Sequence, residues 1–490
     1  MKRSLLFLFL LISFQNLYAI PVISSFSPTS GPIGTSVTIS GTGFSSTPTS
    51  NTVFFGATQA IVTAATTTQL TVKVPIGATY QFITVMVSNL VANSFSPFIV
   101  TFCSDNSINT NSFTPRVDFA TPSNPYAIAI CDLDGNGKSE LVVINYNGNS
   151  FSVFKNISTI GSISLAARVD FATGANPISV SISDIDLDGK PDVVVTIYNS
   201  NRVSVFRNTS TLGNISFDSE VNFITGSNPR SVAIGDIDLN GKPEVVVVNA
   251  SSATVSIFRN TSIPGTISFA AKVDFTTGTS PRSVTIGDID GNGKADIAVA
   301  NYSSSTVSVL RNLSTSGTIS FATKVDFATG TFPIAIAIGD IDGNGKPDLS
   351  VANFTSNTIS VFRNLSTSGT ISLATKVDFN AGSSPNSIAI GEIGGDGKPD
   401  IVITYLNPET VSVFKNTSTS GTISLAAKID YTSGSGPYNL TIGDIDGDGK
   451  PDVAVADYSS NAISVFRNLI NGSLPLMTSA STASVCSGNL

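Results

Sequence analysis

The sequence contains seven acidic loops whose side chains have the types and spacing to bind a hard metal ion. One loop reads Asp288-Ile-Asp290-Gly-Asn292-Gly-Lys294-Ala-Asp296. It offers side-chain oxygens at positions 1, 3, 5 and 9, a backbone carbonyl at position 7, and a glycine at position 6 for a sharp bend. Calcium is predicted rather than magnesium, because many flexible protein oxygens suit the larger and less regular calcium shell.

The same pattern recurs every 52 residues, and the seven loops together hold 23 of the 34 acidic residues in the chain. Turns rich in Asp, Asn and Gly are common, but so many carboxylates packed in phase would repel one another strongly without a cation. The predicted metal ligands, in which each lysine contributes its backbone carbonyl, are Asp132, Asp134, Asn136, Lys138, Glu140, Asp184, Asp186, Asp188, Lys190, Asp192, Asp236, Asp238, Asn240, Lys242, Glu244, Asp288, Asp290, Asn292, Lys294, Asp296, Asp340, Asp342, Asn344, Lys346, Asp348, Glu392, Asp396, Lys398, Asp400, Asp444, Asp446, Asp448, Lys450 and Asp452.

The sixth loop departs from the pattern, because Gly394 replaces the ligand at position 3 and Glu392 provides a longer side chain at position 1. We therefore expect up to seven calcium ions, with the sixth site weak or empty. The loops resemble the first nine positions of an EF-hand loop without its flanking helices. Zinc is disfavoured, because the chain has no histidine and the loops have no cysteine.

A fixed 52-residue period indicates a propeller or a solenoid. Each unit contains four strand-like segments, which in the fourth unit are 283–286, 297–300, 306–310 and 318–325; four strands make one propeller blade. The last unit stops near Asn468 after three strands. Residues 113–119, which precede the first unit, have a sequence similar to that of a fourth strand. We predict a seven-bladed β-propeller over 113–473, in which 113–119 closes the last blade and leaves no open sheet edge.

The unit that runs from Ser283 through its loop to Ala300 resembles the FG-GAP/VCBS repeats of the integrin α-subunit propeller and its bacterial relatives. The resemblance covers all seven units. It implies calcium in the loops on one face of the propeller and ligand contacts on the opposite face. The degenerate sixth loop and the lack of integrin leg domains depart from that family, so heterodimer formation is not implied.

Residues 20–102 differ in composition and contain short alternating segments separated by Gly, Pro and Thr turns, which predicts a small β-sandwich. The sequence of segments 21–28, 31–35 and 41–44 resembles that of the IPT/TIG family of immunoglobulin-like domains. The predicted fold class is therefore all-β, with this sandwich followed by the propeller and 103–112 as a linker between them.

The first 19 residues combine Lys2 and Arg3 with the apolar segment 5–14 and a small residue at Ala19, which predicts a cleavable secretion signal. The apolar segment is shorter than the roughly 20 residues that span a membrane. Cys131 is expected in the core, and a disulfide between Cys103 and Cys486 is left open. Residues 474–490 form a Ser- and Thr-rich tail.

The loops opposite the acidic face are expected to carry ligand contacts, because loops vary while the blade scaffold repeats. The alternative is that their aromatic residues only pack their own loops. The candidate ligand-binding residues are Tyr126, Arg230, Arg282, Tyr438, Tyr146, Tyr198, Tyr302, Phe354 and Tyr458.

Asparagines such as Asn156 and Asn208 match the glycosylation acceptor pattern, but their recurrence at the end of the third strand favours a turn role. The basic residues that precede them are expected at the rim.

Composition restricts the function. The absence of histidine excludes catalysis by a Ser/His or Cys/His pair, and the net charge of −8 disfavours nucleic acid as a partner. We expect a secreted or cell-surface, non-enzymatic protein that binds an extracellular protein or glycan, in adhesion or ligand binding, without a membrane span. The alternative is an accessory carbohydrate-binding part of a polysaccharide-degrading system, since a propeller alone does not decide between these roles.

Overall fold

The computed structural model describes residues 20–56, 58–88, 90–102 and 107–470. The predicted signal, the Cys103–Cys486 pair and the tail 474–490 lie outside these residues. In the described part no helix has the length and apolarity needed to cross a membrane. The helical elements there are two single 3₁₀ turns, Pro48–Ser50 and Tyr198–Ser200.

The N-terminal domain is a β-sandwich, as predicted. Its sheets have the strand orders β1-β3-β7-β6 and β5-β4-β8-β9, and β10 pairs with β2 in parallel. Alternate residues of β3, β4 and β7 are buried in a core in which Phe55 and Phe98 meet edge to face at 5.2 Å. The strands are β1 (Val22–Ser27), β2 (Ser30–Gly31), β3 (Ser36–Thr42), β4 (Asn51–Phe55), β5 (Thr58–Ala60), β6 (Val62–Ala65), β7 (Gln69–Lys73), β8 (Phe82–Val87), β9 (Leu90–Pro97) and β10 (Ile99–Val100).

The repeats form seven four-stranded antiparallel sheets, one for each 52-residue unit. The prediction of an all-β propeller behind a sandwich is confirmed. The strands are β11 (Val117–Ala120), β12 (Pro125–Cys131), β13 (Glu140–Asn145), β14 (Ser150–Phe154), β15 (Val169–Ala172), β16 (Pro177–Ser183), β17 (Asp192–Ile197), β18 (Arg202–Phe206), β19 (Val221–Ile224), β20 (Pro229–Gly235), β21 (Glu244–Asn249), β22 (Thr254–Phe258), β23 (Val273–Thr276), β24 (Pro281–Gly287), β25 (Asp296–Asn301), β26 (Thr306–Leu310), β27 (Val325–Ala328), β28 (Pro333–Gly339), β29 (Asp348–Asn353), β30 (Thr358–Phe362), β31 (Val377–Asn380), β32 (Pro385–Gly391), β33 (Asp400–Tyr405), β34 (Thr410–Phe414), β35 (Ile429–Thr432), β36 (Pro437–Gly443), β37 (Asp452–Asp457) and β38 (Ala462–Phe466).

The second strand of every blade is buried along its whole length. Because each blade packs between two neighbours, both faces of this strand are covered, and after its acidic first residue its interior is mostly apolar on both faces. The apolar clusters accordingly combine residues of adjacent blades, such as Val142 with Val193 and Val246 with Ile297.

The ring closes through the strand that precedes the first unit. In the seventh blade, β11 pairs with β38 in the antiparallel register Val117↔Val465 to Ala120↔Ala462. The hydrogen bond from the Gly161 N–H to an Asp446 oxygen, 2.9 Å long, then links the seventh blade to the first.

The fourth strand of each unit was predicted at the wrong place. In the fourth unit it is Val325–Ala328, not 318–325. Residues 312–321 instead form a tight hairpin with two isolated bridges, in which the Ser314 hydroxyl accepts the Ser320 N–H at 3.0 Å and donates to the Ser320 carbonyl at 3.1 Å. These local side-chain hydrogen bonds take the place of the regular backbone hydrogen bonds that a fourth strand would make here.

The asparagine at the end of each third strand is buried and joins neighbouring blades. Asn312 is 1% exposed, and its amide donates to the Ile237 carbonyl of the preceding blade at 2.8 Å and to the Ala295 carbonyl at 2.9 Å. The structural interpretation of this position is therefore supported, and glycosylation would require the amide to leave the interior. Cys131 is buried in the core, as predicted.

The sandwich lies against the face of the propeller that carries the acidic loops. The Val91 N–H donates to the Gly241 carbonyl of the third loop at 2.7 Å, and Met86 and Val91 pack on Leu187 of the second loop. Tyr80 reaches the backbone of Asp340 in the fifth loop. A cavity of about 450 Å³ between the domains marks this covered end of the central channel.

One buried carboxylate stands where other repeats have an amide. Asp457 is fully buried and accepts hydrogen bonds from the Ser464 hydroxyl at 2.5 Å and the Ser433 hydroxyl at 2.9 Å. Burial, with Asp118 nearby, raises the pKa of Asp457 to about 6. Four other repeats carry an asparagine at this position: Asn145, Asn249, Asn301 and Asn353.

We expect Asp457→Asn to stabilise the protein at neutral pH. The folded state binds this proton more tightly than the unfolded chain, so stability is greatest below the unfolded pKa near 3.8 and falls as pH rises to about 6. The gain above pH 6 is about 2–3 kcal/mol. Melting curves at several pH values should show the variant melting higher at pH 7 and level with the native protein near pH 4. The matched change Asn353→Asp should lower the melting temperature at pH 7; equal pH profiles for all three proteins would contradict the assignment.

Candidate functional site

Each acidic loop joins the first strand of a blade to the second, and its position 9 is the first residue of that second strand. In the fourth loop the Asp288 carboxylate accepts N–H bonds from Asn292 at 3.0 Å and Gly293 at 2.8 Å. The Asp296 carboxylate accepts from Ile289 at 3.0 Å. These bonds wrap the backbone of the loop around the carboxylates.

The hydrogen-bond pattern is common to the loops. In all seven, the N–H at position 2 donates to the carboxylate at position 9. In six loops the lysine side chain at position 7 donates to a serine carbonyl outside the loop, as when Lys294 Nζ donates to the Ser314 carbonyl at 2.6 Å. In the seventh loop Lys450 Nζ lies 3.7 Å from an Asp448 oxygen. That the lysines contribute their backbone carbonyls to a metal ion remains a prediction.

The carboxylates at positions 1, 3 and 9 converge. In each of five loops, one oxygen from each of the three lies within 4.8 Å of the others, and the described residues contain one further acidic cluster of this kind. Two oxygens bound to one ion at 2.3–2.6 Å can be at most about 5 Å apart, so this spacing fits a metal ion. The five sets are Asp132, Asp134 and Glu140; Asp184, Asp186 and Asp192; Asp236, Asp238 and Glu244; Asp288, Asp290 and Asp296; and Asp340, Asp342 and Asp348.

Burial makes negative charge costly in these clusters. It raises the pKa of Asp184 to about 7 and that of Asp192 to about 8, with the neighbouring carboxylates adding to the effect. Glu140 and Glu244 likewise reach about 8. A divalent cation among these oxygens would offset both desolvation and repulsion, so the clusters are suited to holding a metal ion.

The position-3 carboxylates also connect neighbouring blades. Asp238 accepts the Gly317 N–H of the next blade at 2.8 Å, and the same bond is made by Asp134, Asp186, Asp290, Asp342 and Asp446. Loop geometry and blade packing therefore depend on the same side chains.

The sixth loop keeps the turn but not the full donor set. Asp400 accepts from the Ile393 N–H at 3.1 Å, as in the other loops, but Gly394 has no side chain to offer at position 3. Glu392 Oε2 is buried without a hydrogen-bond partner, and burial raises the pKa of Glu392 to about 9. That this loop is weak or empty remains a prediction.

Four of the seven basic residues at the end of the third strands, which were expected at the rim, reach a loop carboxylate: Lys155, Arg207, Lys415 and Arg467. Arg207 pairs with Asp186 at 2.6 Å and with Asp188 at 2.5 Å, and Arg467 contacts Asp446 and Asp448. Their only sequence signal is a fixed position before the buried asparagine. They hold the outer oxygens of loop carboxylates and reduce the local negative charge.

The opposite end of the channel is lined by the first strands of all seven blades. One ring of positions 52 residues apart surrounds a cavity of about 230 Å³ there. Because each first strand is seven residues long, this ring is about 20 Å from the acidic loops. Its members are Tyr126, Ile178, Arg230, Arg282, Ile334, Asn386 and Tyr438. We call this cavity the channel mouth.

The other five candidate ligand-binding residues do not line the channel mouth; they are Tyr146, Tyr198, Tyr302, Phe354 and Tyr458. Tyr146 and Tyr458 contact Tyr126 at centroid distances of 5.6 and 6.2 Å. Arg230 and Arg282 stack on the rings of Tyr198 and Tyr302. The last member of the set, Phe354, is half-buried in its own turn and is not among the lining residues. These residues therefore form a mixed cluster of tyrosines and arginines at and behind the channel mouth.

Comparisons with known proteins agree with this architecture. Residues 132–195, 184–247, 238–299, 288–351, 342–403 and 393–455 each match the FG-GAP-like repeat, and residues 21–103 match the IPT/TIG domain. No curated protein matches the sequence.

Solved structures show likeness at low identity. BBS1N in its complex with ARL6DN matches with a TM-score of 0.52 and 12% identity, over 74% of this chain and 98% of that chain. An auxiliary nutrient binding protein from Bacteroides thetaiotaomicron matches with a TM-score of 0.37 and 12% identity, over 91% of this chain and 97% of its own. One from Bacteroides ovatus matches with a TM-score of 0.36 and 14% identity, over 91% and 98%.

Both family resemblances seen in the sequence are thus confirmed. The matched repeats together span residues 132–455, more than half of the chain, and the chain belongs to the FG-GAP-like repeat family, with an IPT/TIG domain at its N-terminal side.

Proposed function

We propose that this protein is a secreted or cell-surface, calcium-binding propeller that recognises an extracellular protein or glycan and does not catalyse a reaction. The observation that carries the proposal is that the two faces of the propeller differ in their side chains and in their exposure. One face holds the acidic loops and is covered by the sandwich, whereas the other opens into the channel mouth. The predicted leader peptide supports export.

Calcium is the proposed ion because the loops offer carboxylate, amide and backbone oxygens in an irregular arrangement. Magnesium demands a nearly ideal octahedron and retains its water, and zinc prefers His and Cys donors. The ions would neutralise buried carboxylates and fix the blades through side chains that already bridge them, such as Asp238. Their role in this proposal is structural.

Ligand binding is assigned to the channel mouth because aromatic, cationic and small polar side chains converge there from all seven blades. No carboxylate stands among the described lining residues, so the cavity lacks an Asp or Glu that would act as general acid or base. Hydroxyl and amide groups from Ser179, Ser231, Asn386 and Asn439 provide neutral hydrogen-bond partners beside the tyrosines. Such a lining suits recognition by shape and hydrogen bonds.

An array of glycans and extracellular matrix proteins, probed with calcium and again with chelator, tests this proposal. We expect one ligand class to bind the native protein with calcium and to be lost in Tyr126→Ala/Tyr438→Ala. The rim change Ile224→Ser, at a side chain that is 79% exposed, serves as the control and should not alter binding. Conversion of the bound ligand into a product, or binding that survives the tyrosine changes, would contradict the proposal.

A further inference from the structure

Two arginines at the channel mouth lack an anionic partner. Elsewhere among the described residues Arg116, Arg168, Arg202, Arg207 and Arg467 each pair with a carboxylate. Neither Arg230 nor Arg282 does so. The described residues Arg259, Arg311 and Arg363 also have no carboxylate partner, but they lack the buried, unpartnered Nε atom that Arg230 and Arg282 have. Arg230 donates only to the hydroxyls of Tyr126 at 3.4 Å and Tyr198 at 3.2 Å.

Arg282 is the more exceptional of the two. It makes no hydrogen bond to any described residue, and its Nε, like that of Arg230, is buried without a partner. Burial lowers the pKa of Arg282, and the positive charge of Arg230 lowers it further. A half-buried guanidinium without an acceptor is costly, and two adjacent ones repel each other. The electrostatic potential in the channel mouth is therefore positive, in a chain whose net charge is −8.

Both guanidinium groups are held in place by aromatic stacking. The central carbon of Arg230 lies 4.4 Å from the ring centroid of Tyr198, and that of Arg282 lies 4.4 Å from the centroid of Tyr302. Tyr302 is itself stacked on Phe332 at 4.5 Å with an interplanar angle of 8°. Stacking fixes the plane of the guanidinium while leaving its N–H edge available, which suits a planar carboxylate.

The same cavity also holds an unmatched acceptor. Asn386 Oδ1 is buried without a donor, whereas the amide nitrogen of this residue donates to the Tyr438 carbonyl at 2.7 Å. The cavity thus lacks an anion for its arginines and a hydroxyl or N–H donor for its asparagine. A sugar acid carries a carboxylate, which would pair with the arginines, and hydroxyl groups, which would donate to the asparagine, on one small ring. The cavity volume of about 230 Å³ is small for a ligand pocket, which favours one such unit over a folded peptide segment.

We propose that the channel mouth binds the carboxylate of an acidic saccharide, a uronate-type sugar, between Arg230 and Arg282, with Asn386 accepting a ring hydroxyl. The assignment rests on the proposed ligand-binding function of this face and names its ligand class. Tyr126 and Tyr438, whose hydroxyl oxygens are 2.5 Å apart, form the wall beside the sugar.

Titration calorimetry of the full chain with glucuronic acid, glucose and N-acetylaspartate tests the proposal. We expect glucuronic acid to bind and glucose to bind at least tenfold more weakly, with N-acetylaspartate also weaker than the sugar acid. Arg282→Gln should reduce glucuronate affinity roughly 10- to 100-fold, the range for a hydrogen bond to a charged group. Arg282→Lys should recover only part of it, because the fork is lost.

Arg168→Gln removes one positive charge from an exposed ion pair and should leave glucuronate binding unchanged. Equal affinity for glucose and glucuronic acid, an effect of Arg168→Gln as large as that of Arg282→Gln, or tighter binding of N-acetylaspartate would overturn the proposal. The comparison of free sugars needs no variant, so a misfolded Arg282→Gln would not obscure the answer. If binding of an array ligand is lost in the tyrosine variant but retained in Arg230→Gln/Arg282→Gln, this inference fails while the proposed binding function stands. If no ligand on the array binds the protein, both proposals fail.

Discussion

A chain in which residues 113–120 are replaced by a flexible Gly/Ser segment of equal length should melt far below the native protein and aggregate. The replaced strand β11 forms the outer edge of the seventh blade against β38. Phe113, just before it, packs edge to face on Tyr431 at 4.9 Å and on Phe466 at 6.5 Å. Removing the strand exposes β38 as an open edge, which invites intermolecular pairing.

The expected fall in melting temperature is roughly 10 °C or more, since loss of a buried Phe alone costs about 3–5 kcal/mol. Light scattering on a sizing column and thermal melts give the readouts. The matched control carries the same Gly/Ser segment but has 113–120 appended after residue 470 through a short linker, so that the strand returns from the other end. The control should be monomeric and should melt near the native temperature. If the strand-less chain remains monomeric with a native melting temperature, β11 does not close the ring.

Calcium removal is expected to destabilise the propeller even more strongly. Binding to the folded state alone contributes about 2.7 kcal/mol per site when the free ion is at 100 times its dissociation constant. Several sites act together, and each loop also bonds the next blade, as through Asp238 and Gly317. In loops without calcium, burial and the neighbouring carboxylates raise the pKa of Asp192 to about 8, which shows how unfavourable its charged form is there.

Thermal melts with excess chelator and then with restored calcium measure this effect. We expect a large drop in melting temperature that millimolar calcium reverses and millimolar magnesium does not. Asp290→Asn, which changes a predicted ligand, should weaken the calcium response. Asp274→Asn, which changes an exposed carboxylate paired with Lys272, should leave it intact. Identical melts with chelator and with calcium would mean that the loops serve only as turns.

The period of the repeats made most of the fold predictable. A 52-residue repeat sets the position of every first strand and acidic loop, and therefore the ring formed by Tyr126, Arg230, Tyr438 and their counterparts. The fourth strand was misplaced because Ser314 and Ser320 form side-chain–backbone bonds that an alternating pattern does not reveal. Periodicity identifies which residues share a level of the ring, but not which polar side chains bond locally.

Contacts between different repeat positions, and between the sandwich and the propeller, could not be predicted from the sequence. The position of the sandwich depends on scattered apolar residues such as Val91 and Leu187, which look ordinary in their own segments. Arg282 has no carboxylate within ion-pair distance among the described residues, whereas Arg207, at another repeat position, pairs with Asp186 and Asp188. Such differences arise from three-dimensional neighbours, which composition and spacing do not specify.

The number of calcium ions bound per chain tests the central claim most directly. Native mass spectrometry of calcium-loaded protein should count six tightly bound ions, one for each loop with a complete donor set, and seven for Gly394→Asp. An ideal Cβ at Gly394 lies 3.4 Å from Asp400 Oδ2, so an added carboxylate starts beside the existing one. A chain that binds no calcium, or whose count is unchanged when loop carboxylates such as Asp290 and Asp296 are both changed to alanine, would contradict the account.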